Sequence, residues 1–171
     1  GLDNNCDELA GTCELDAEAS DVVFWGENAF DNAGMSTAGG GDLNGDGFDD
    51  IVVGAKHEST GADQAGAAYV IYGRSAEEFA AATEATDGVM SLADADIMLT
   101  GEAAADKAGR MVAIIPDVNS DGNADLLVAS PSADPSGNGS GTVYLMFGGG
   151  SSGSLADADM IIDGAIGFNY T

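Results

Sequence analysis

The sequence predicts an all-β chain built from two copies of one four-stranded unit. Three observations carry this. A nine-residue acidic loop occurs twice, as Asp42-Leu43-Asn44-Gly45-Asp46-Gly47-Phe48-Asp49-Asp50 and as Asp117-Val118-Asn119-Ser120-Asp121-Gly122-Asn123-Ala124-Asp125, each time running into an apolar stretch. Eight positions from Gly26 to Gly73 recur as Gly101 to Gly148 at a constant offset of 75, which marks a duplicated structural unit. The apolar stretches are short, rich in β-branched and aromatic residues, and bounded by Gly, Asn, Asp and Ser, the pattern of strands between turns.

Residues 1 to 20 are acidic and without periodicity and read as a leader or linker. They hold the only cysteines, Cys6 and Cys13, whose spacing suits a small disulfide loop in an oxidising compartment; two free thiols are the alternative. Residues 21–102 then hold an outer strand at 21 to 27, aligning at the same offset with Asp96 to Glu102, and the first complete unit. Its strands are expected at Met35–Ala38, Asp50–Val53, Ala67–Tyr72 and Asp96–Thr100. Residues 103–171 repeat the pattern at Met111–Ile115, Leu126–Ala129, Thr142–Phe147 and Asp159–Ile162, and end where a third unit would begin. The offset drops to 63 between Ser91–Asp96 and Ser154–Asp159, so the first copy carries twelve extra residues within Ser75–Val89. Their Glu77-Glu78-Phe79-Ala80-Ala81-Ala82 core predicts one or two helical turns, with Phe79 as a pin onto the sheet.

The acidic loops carry the candidate chemistry. Oxygen side chains at positions 1, 3, 5 and 9, with Gly at position 6, curl the chain and point several oxygens at one centre. Hard oxygen ligands of that kind suit Ca²⁺, which takes about 6 to 8 of them. One site comprises Asp42, Asn44, Asp46, the Phe48 carbonyl and Asp50; the second comprises Asp117, Asn119, Asp121, the Asn123 carbonyl and Asp125. An EF-hand is excluded, because position 12 is Val53 or Val128 instead of Glu and a strand follows instead of a helix. A pair of Asx turns that bind nothing is the bland alternative.

Four basic residues against 30 acidic ones give a formal charge of −26, which repels nucleic-acid phosphate and anionic lipid. No apolar run is long enough to insert in a membrane. The single His57 lacks a nucleophile partner, and no P-loop, dinucleotide fingerprint or zinc spacing occurs, so no enzyme activity is expected. Asp94, Asp96, Asp157 and Asp159 read as solvent-facing turn residues at the start of outer strands. Trp25, Tyr69, Tyr72 and Tyr144 read as core aromatics ahead of a sugar site. Asn138 and Asn169 stand in glycosylation sequons.

A repeated four-stranded unit of this size is the pattern of a β-propeller blade. The stretches AGMSTAGGGDLNGDGFDDIVVGA and AGRMVAIIPDVNSDGNADLLVASP resemble the FG-GAP repeats of integrin α-subunit propellers and their bacterial relatives. The resemblance covers residues 21 to 171. It departs at Ala33-Gly34 and Ala108-Gly109, where Phe-Gly is usual, and at Val53-Gly54-Ala55-Lys56 and Val128-Ala129-Ser130-Pro131, where Gly-Ala-Pro is usual. It implies a Ca²⁺-binding, extracellular module of adhesion or surface structure, with a glycan or surface protein as ligand. A lectin-like domain, or an accessory domain of a polysaccharide-degrading enzyme, is the other reading. Two blades do not close a ring, so self-association into a ring or filament, or completion by other blades of a parent protein, is expected.

Overall fold

Two antiparallel meanders of equivalent register account for most of the strands. The computed structural model describes residues 22–135 and 139–164. The first meander orders β2 (Ala33–Gly39), β3 (Ile51–Ala55), β4 (Ala67–Ile71) and β6 (Ile97–Thr100); the second orders β7 (Met111–Ile115), β8 (Asp125–Ser130), β9 (Thr142–Met146) and β11 (Met160–Asp163). Val53 lies opposite Tyr69 and Tyr69 opposite Met98, as Val128 lies opposite Tyr144 and Tyr144 opposite Ile161. The duplication read from the sequence is therefore a duplication of strand pairing. The chain is mostly β-sheet, as expected.

Because successive side chains on a strand point to opposite faces, β3 and β4 serve two cores at once. Val52, Ala68, Val70 and Leu99 pack against Leu126, Val128, Tyr144 and Leu155 of the second meander. Val53, Tyr69, Ile71 and Leu92 pack on the other side with Phe24 and Phe79. Each such aliphatic side chain contributes about 1.5–3 kcal/mol on full burial, so the contact between the two sheets is a major part of the fold. It is close: Gly54 of β3 faces the Gly109 carbonyl, which accepts a 2.7 Å bond from the Ser36 hydroxyl.

Two short parallel pairings were not expected. Between its third and fourth strands each repeat sends a segment to the outer strand of the preceding one. β5 (Val89–Ser91) pairs with β1 (Val23–Trp25), and β10 (Gly153–Ser154) pairs with β6. The Phe24–Met90 and Trp25–Ser91 pairs of the first clasp are the counterparts of Leu99–Gly153 and Thr100–Ser154 in the second. Segments of two or three residues that include Ser and Gly carry no strand periodicity, which is why the sequence does not show them.

The insertion forms helix α1 (Ala76–Thr83), as its composition predicts. Ser75 caps it reciprocally, its hydroxyl accepting from the Glu78 amide at 3.3 Å and its own amide donating to the Glu78 carboxylate at 2.9 Å. Phe79 packs onto the sheet cluster with the Arg74 guanidinium 5.3 Å above its ring. One reading needs correction and another is extended. Trp25 does not fill the core but is 62% exposed, because it lies at the end of the short β1. Asp96 and Asp159 reach solvent yet also tie strands together: they accept from the Tyr72 and Phe147 amides at 2.8 and 2.7 Å, and Asp96 pairs with Arg74 at 2.6 Å.

Tyr69 and Tyr144 are buried, and their hydroxyls donate to Glu27 at 3.1 Å and to Glu102 at 3.3 Å. Burial first, then the adjacent carboxylates, pushes Tyr144 up to about 12 and raises Tyr69 as well. A raised folded-state value means that the stabilisation is intact below the ordinary phenol pKa of about 10 and lost as pH rises through the folded value. Unfolding followed by phenolate absorbance should therefore become cooperative between about pH 10 and 12, and the double variant Tyr69→Phe, Tyr144→Phe should flatten that alkaline limb. An unchanged limb in the double variant would refute the assignment.

Candidate metal centres

Both acidic loops are curled by their first carboxylate. Asp42 accepts from the amides of Gly45 (2.6 Å), Asp46 (3.2 Å) and Gly47 (2.8 Å). Asp117 accepts from Ser120 (2.6 Å), Asp121 (3.3 Å) and Gly122 (2.9 Å). Positions 3 and 5 continue the pattern: Asn44 accepts from the Asp46 amide at 3.0 Å and Asp46 from the Phe48 amide at 2.8 Å, matched by Asn119 with Asp121 at 3.0 Å and Asp121 with Asn123 at 2.8 Å. The turns need left-handed backbone at Gly47 and Gly122, and at position 4, where Gly45 is answered by Ser120.

The electrostatics follow from these amides. The Gly47 N–H, partly offset by desolvation, holds Asp42 below the usual carboxylate range, and the Gly122 N–H does the same for Asp117. Depressed values favour the fold above the ordinary carboxylate pKa, a contribution lost as pH falls through the folded values. Asp50 differs: it is buried at the head of β3, and burial pushes its carboxyl up against the opposing pull of the Gly73 and Leu43 amides.

Position 9 is thus a clamp as well as a candidate ligand. Asp50 accepts from Leu43 at 2.6 Å and from Gly73, past the end of β4, at 2.7 Å. Asp125 accepts from Val118 at 2.7 Å and Gly148 at 3.1 Å. The sequence does not reveal this closure of loop onto sheet, nor the contact between the repeats. The Asp42 and Leu43 carbonyls accept from the Ala124 and Gly149 amides at 2.8 and 2.6 Å, so the first loop is also a joint to the second meander.

The donor set fits a hard divalent ion: each loop offers only oxygens, from carboxylates, an amide and a carbonyl, with the first carboxylate held ionised. The loop oxygens here are turned on the loop's own N–H groups, and no three Asp, Glu, His or Cys side chains are gathered in metal-holding geometry among the described residues. Asn44 donates to Asp46 at 2.7 Å, as Asn119 does to Asp121, so taking up an ion entails rotation of these side chains on a backbone already curled.

A second surface was not anticipated. Phe30 is 89% exposed, in left-handed backbone, beside a groove lined by Asp31, His57, Ser59, Asp63 and Gln64. Its only sequence signal is an aromatic residue where the second repeat has Ala105. Cys6, Cys13, Asn138 and Asn169 lie outside the described residues. Among the described residues no helix is long and apolar enough to cross a membrane.

Tandem meanders, each with an acidic loop between its first two strands, define an all-β repeat module. The FG-GAP repeat family model matches residues 33–71 and 108–146, so the chain carries two FG-GAP repeats, one in each meander. No curated protein matches the chain.

Proposed function

We propose that the chain is a non-catalytic, extracellular FG-GAP module of adhesion or surface structure, braced by two structural Ca²⁺ ions. The observation that carries this is the duplication of the whole loop chemistry: the same acceptors at positions 1, 3, 5 and 9, on the same N–H groups, at both copies. Asp42, Asn44, Asp46, the Phe48 carbonyl and Asp50 hold one ion, and Asp117, Asn119, Asp121, the Asn123 carbonyl and Asp125 the other. Each ion fixes the β2–β3 or β7–β8 connection, and the first also stiffens the joint made by the Asp42 and Leu43 carbonyls. Each meander acts as a blade that is completed by further blades, from copies of itself or from a parent protein. FG-GAP repeats are generally non-catalytic modules, and the sequence offers a single histidine, His57.

Calorimetric titration should give two Ca²⁺ per chain, and melting in excess Ca²⁺ should exceed melting in EDTA. At ~100-fold excess over the dissociation constant each site adds about 2.7 kcal/mol. Asp46→Asn should abolish one increment while leaving the EDTA melt nearly unchanged. Superimposable melts with and without Ca²⁺ would reject the reading.

The exposed Phe30 favours a lectin-like second reading, since an aromatic face beside acids and amides suits a sugar ring. Glycan binding that Phe30→Ala abolishes would select it; a blank glycan array would discard it.

A further inference from the structure

Three positions change their burial between the repeats although the local fold is the same. Leu43, Ile97 and Leu99 of the first repeat are 5%, 9% and 2% exposed; their counterparts Val118, Met160 and Ile162 are 55%, 50% and 51% exposed. In the first repeat these side chains are covered by the second, within one cluster that includes Leu126, Val128 and Leu155. Those covering residues are the counterparts of Ile51, Val53 and Leu92, which line an open apolar groove on the far side of the first repeat. The chain thus carries both halves of one interface, and its internal junction shows how they mate.

The edges tell the same story. β6 has β4 on one side and the clasp β10 on the other, whereas β11 pairs with β9 alone among the described residues. β1 is the opposite case: among the described residues it has a clasp, β5, and no antiparallel partner. A pairing of three residues in a two-stranded sheet is marginal by itself, so β1 occupies the place that a longer, sheet-supported outer strand would fill better.

We propose that β11 receives a second copy of this chain, head to tail, whose Val89–Ser91 segment leaves its own β1 to pair in parallel with β11. The register follows from the two clasps already present: Val89 opposite Ile161, Met90 opposite Ile162 and Ser91 opposite Asp163. Val118 then inserts into the incoming groove as Leu43 does inside the chain, and Ile162 displaces Phe24, which covers Val53 and Leu92 in the single chain, to take the place that Leu99 holds at the internal junction. The contact is heterologous and propagates unless its rotation closes a ring. With a formal charge of −26 on each copy, association strengthens with salt and with Ca²⁺. The inference rests on the reading of each meander as a blade completed by copies of itself.

Sedimentation velocity of the full chain in Ca²⁺ at physiological salt tests it. The wild type should gain mass with concentration. Ile162→Lys should weaken association at least tenfold while leaving circular dichroism and melting unchanged, since the site is exposed in the single chain and lies outside both acidic loops. Phe24→Ser, which loosens β1, should strengthen association by freeing β5. A wild type that stays monomeric at its highest concentration, or association indifferent to Ile162→Lys, overturns the proposal. Ca²⁺-raised melting without association would overturn this inference alone and leave the calcium reading standing.

Discussion

Asp50→Ala lowers the unfolding free energy by about 2–6 kcal/mol, because it leaves the Leu43 and Gly73 amides without their acceptor and each orphaned donor costs about 1–3 kcal/mol. At roughly 2–4 °C per kcal/mol for a chain of this size, the melting temperature should fall well outside experimental scatter. Asp50→Asn should fall between, since its carbonyl still serves one amide while its NH₂ faces the other. Asp125→Ala should behave similarly through Val118 and Gly148, with a smaller effect because the second of those bonds is longer and Val118 is exposed. The comparison in EDTA separates clamp from ligand: the loss at Asp50 should persist without Ca²⁺, whereas Asp46→Asn should matter only with it. Equal effects of Asp50→Ala and Asp46→Asn in EDTA would show that the clamp carries no weight of its own.

Gly54→Ala should be the most damaging single methyl addition among the described strands. A Cβ there would stand 1.9 Å from the Gly109 carbonyl oxygen and 2.3 Å from the Ser36 hydroxyl. Overpacking typically costs about 1–3 kcal/mol, and the upper end applies where the obstacle is backbone instead of a side chain that can rotate. The sheets would have to separate, weakening the Ser36 bond and the cluster around Val52 and Val128. The second repeat supplies the control: Ala129 occupies the position equivalent to Gly54 and is half-buried. Ala129→Gly should therefore cost only about 0.5–1 kcal/mol from added chain entropy. Thermal melting checks both, and a Gly54→Ala variant as stable as wild type would contradict the close approach of the sheets.

Much of this molecule was written locally. The two acidic loops could be read from nine residues each because an Asp that caps its own turn, a Gly in left-handed backbone and the strand that follows are all neighbours in sequence. Seven of the eight strand segments expected for the two meanders shifted by one or two residues at their ends, and the eighth, Met111–Ile115, kept its bounds. The capped helix was legible for the same reason, since Ser75 and Glu78 lie within one turn.

What the tertiary structure decided lies in positions whose local sequence is nearly identical. Leu43 and Val118 occupy the same place in the same loop, yet one is buried and the other exposed, because burial depends on what the next sheet presents and not on the loop. Gly54 differs from Ala129 for a reason visible only across the junction. The pairing of Val23–Trp25 with Val89–Ser91 joins segments with no shared periodicity across a long stretch of chain, and the clamp that Asp50 makes on Gly73 appears only when β4 returns beside its loop. Sequence sets hydrogen bonds and turns that close over a few residues; contacts between separately folded sheets arise from packing, which has no local pattern to betray it.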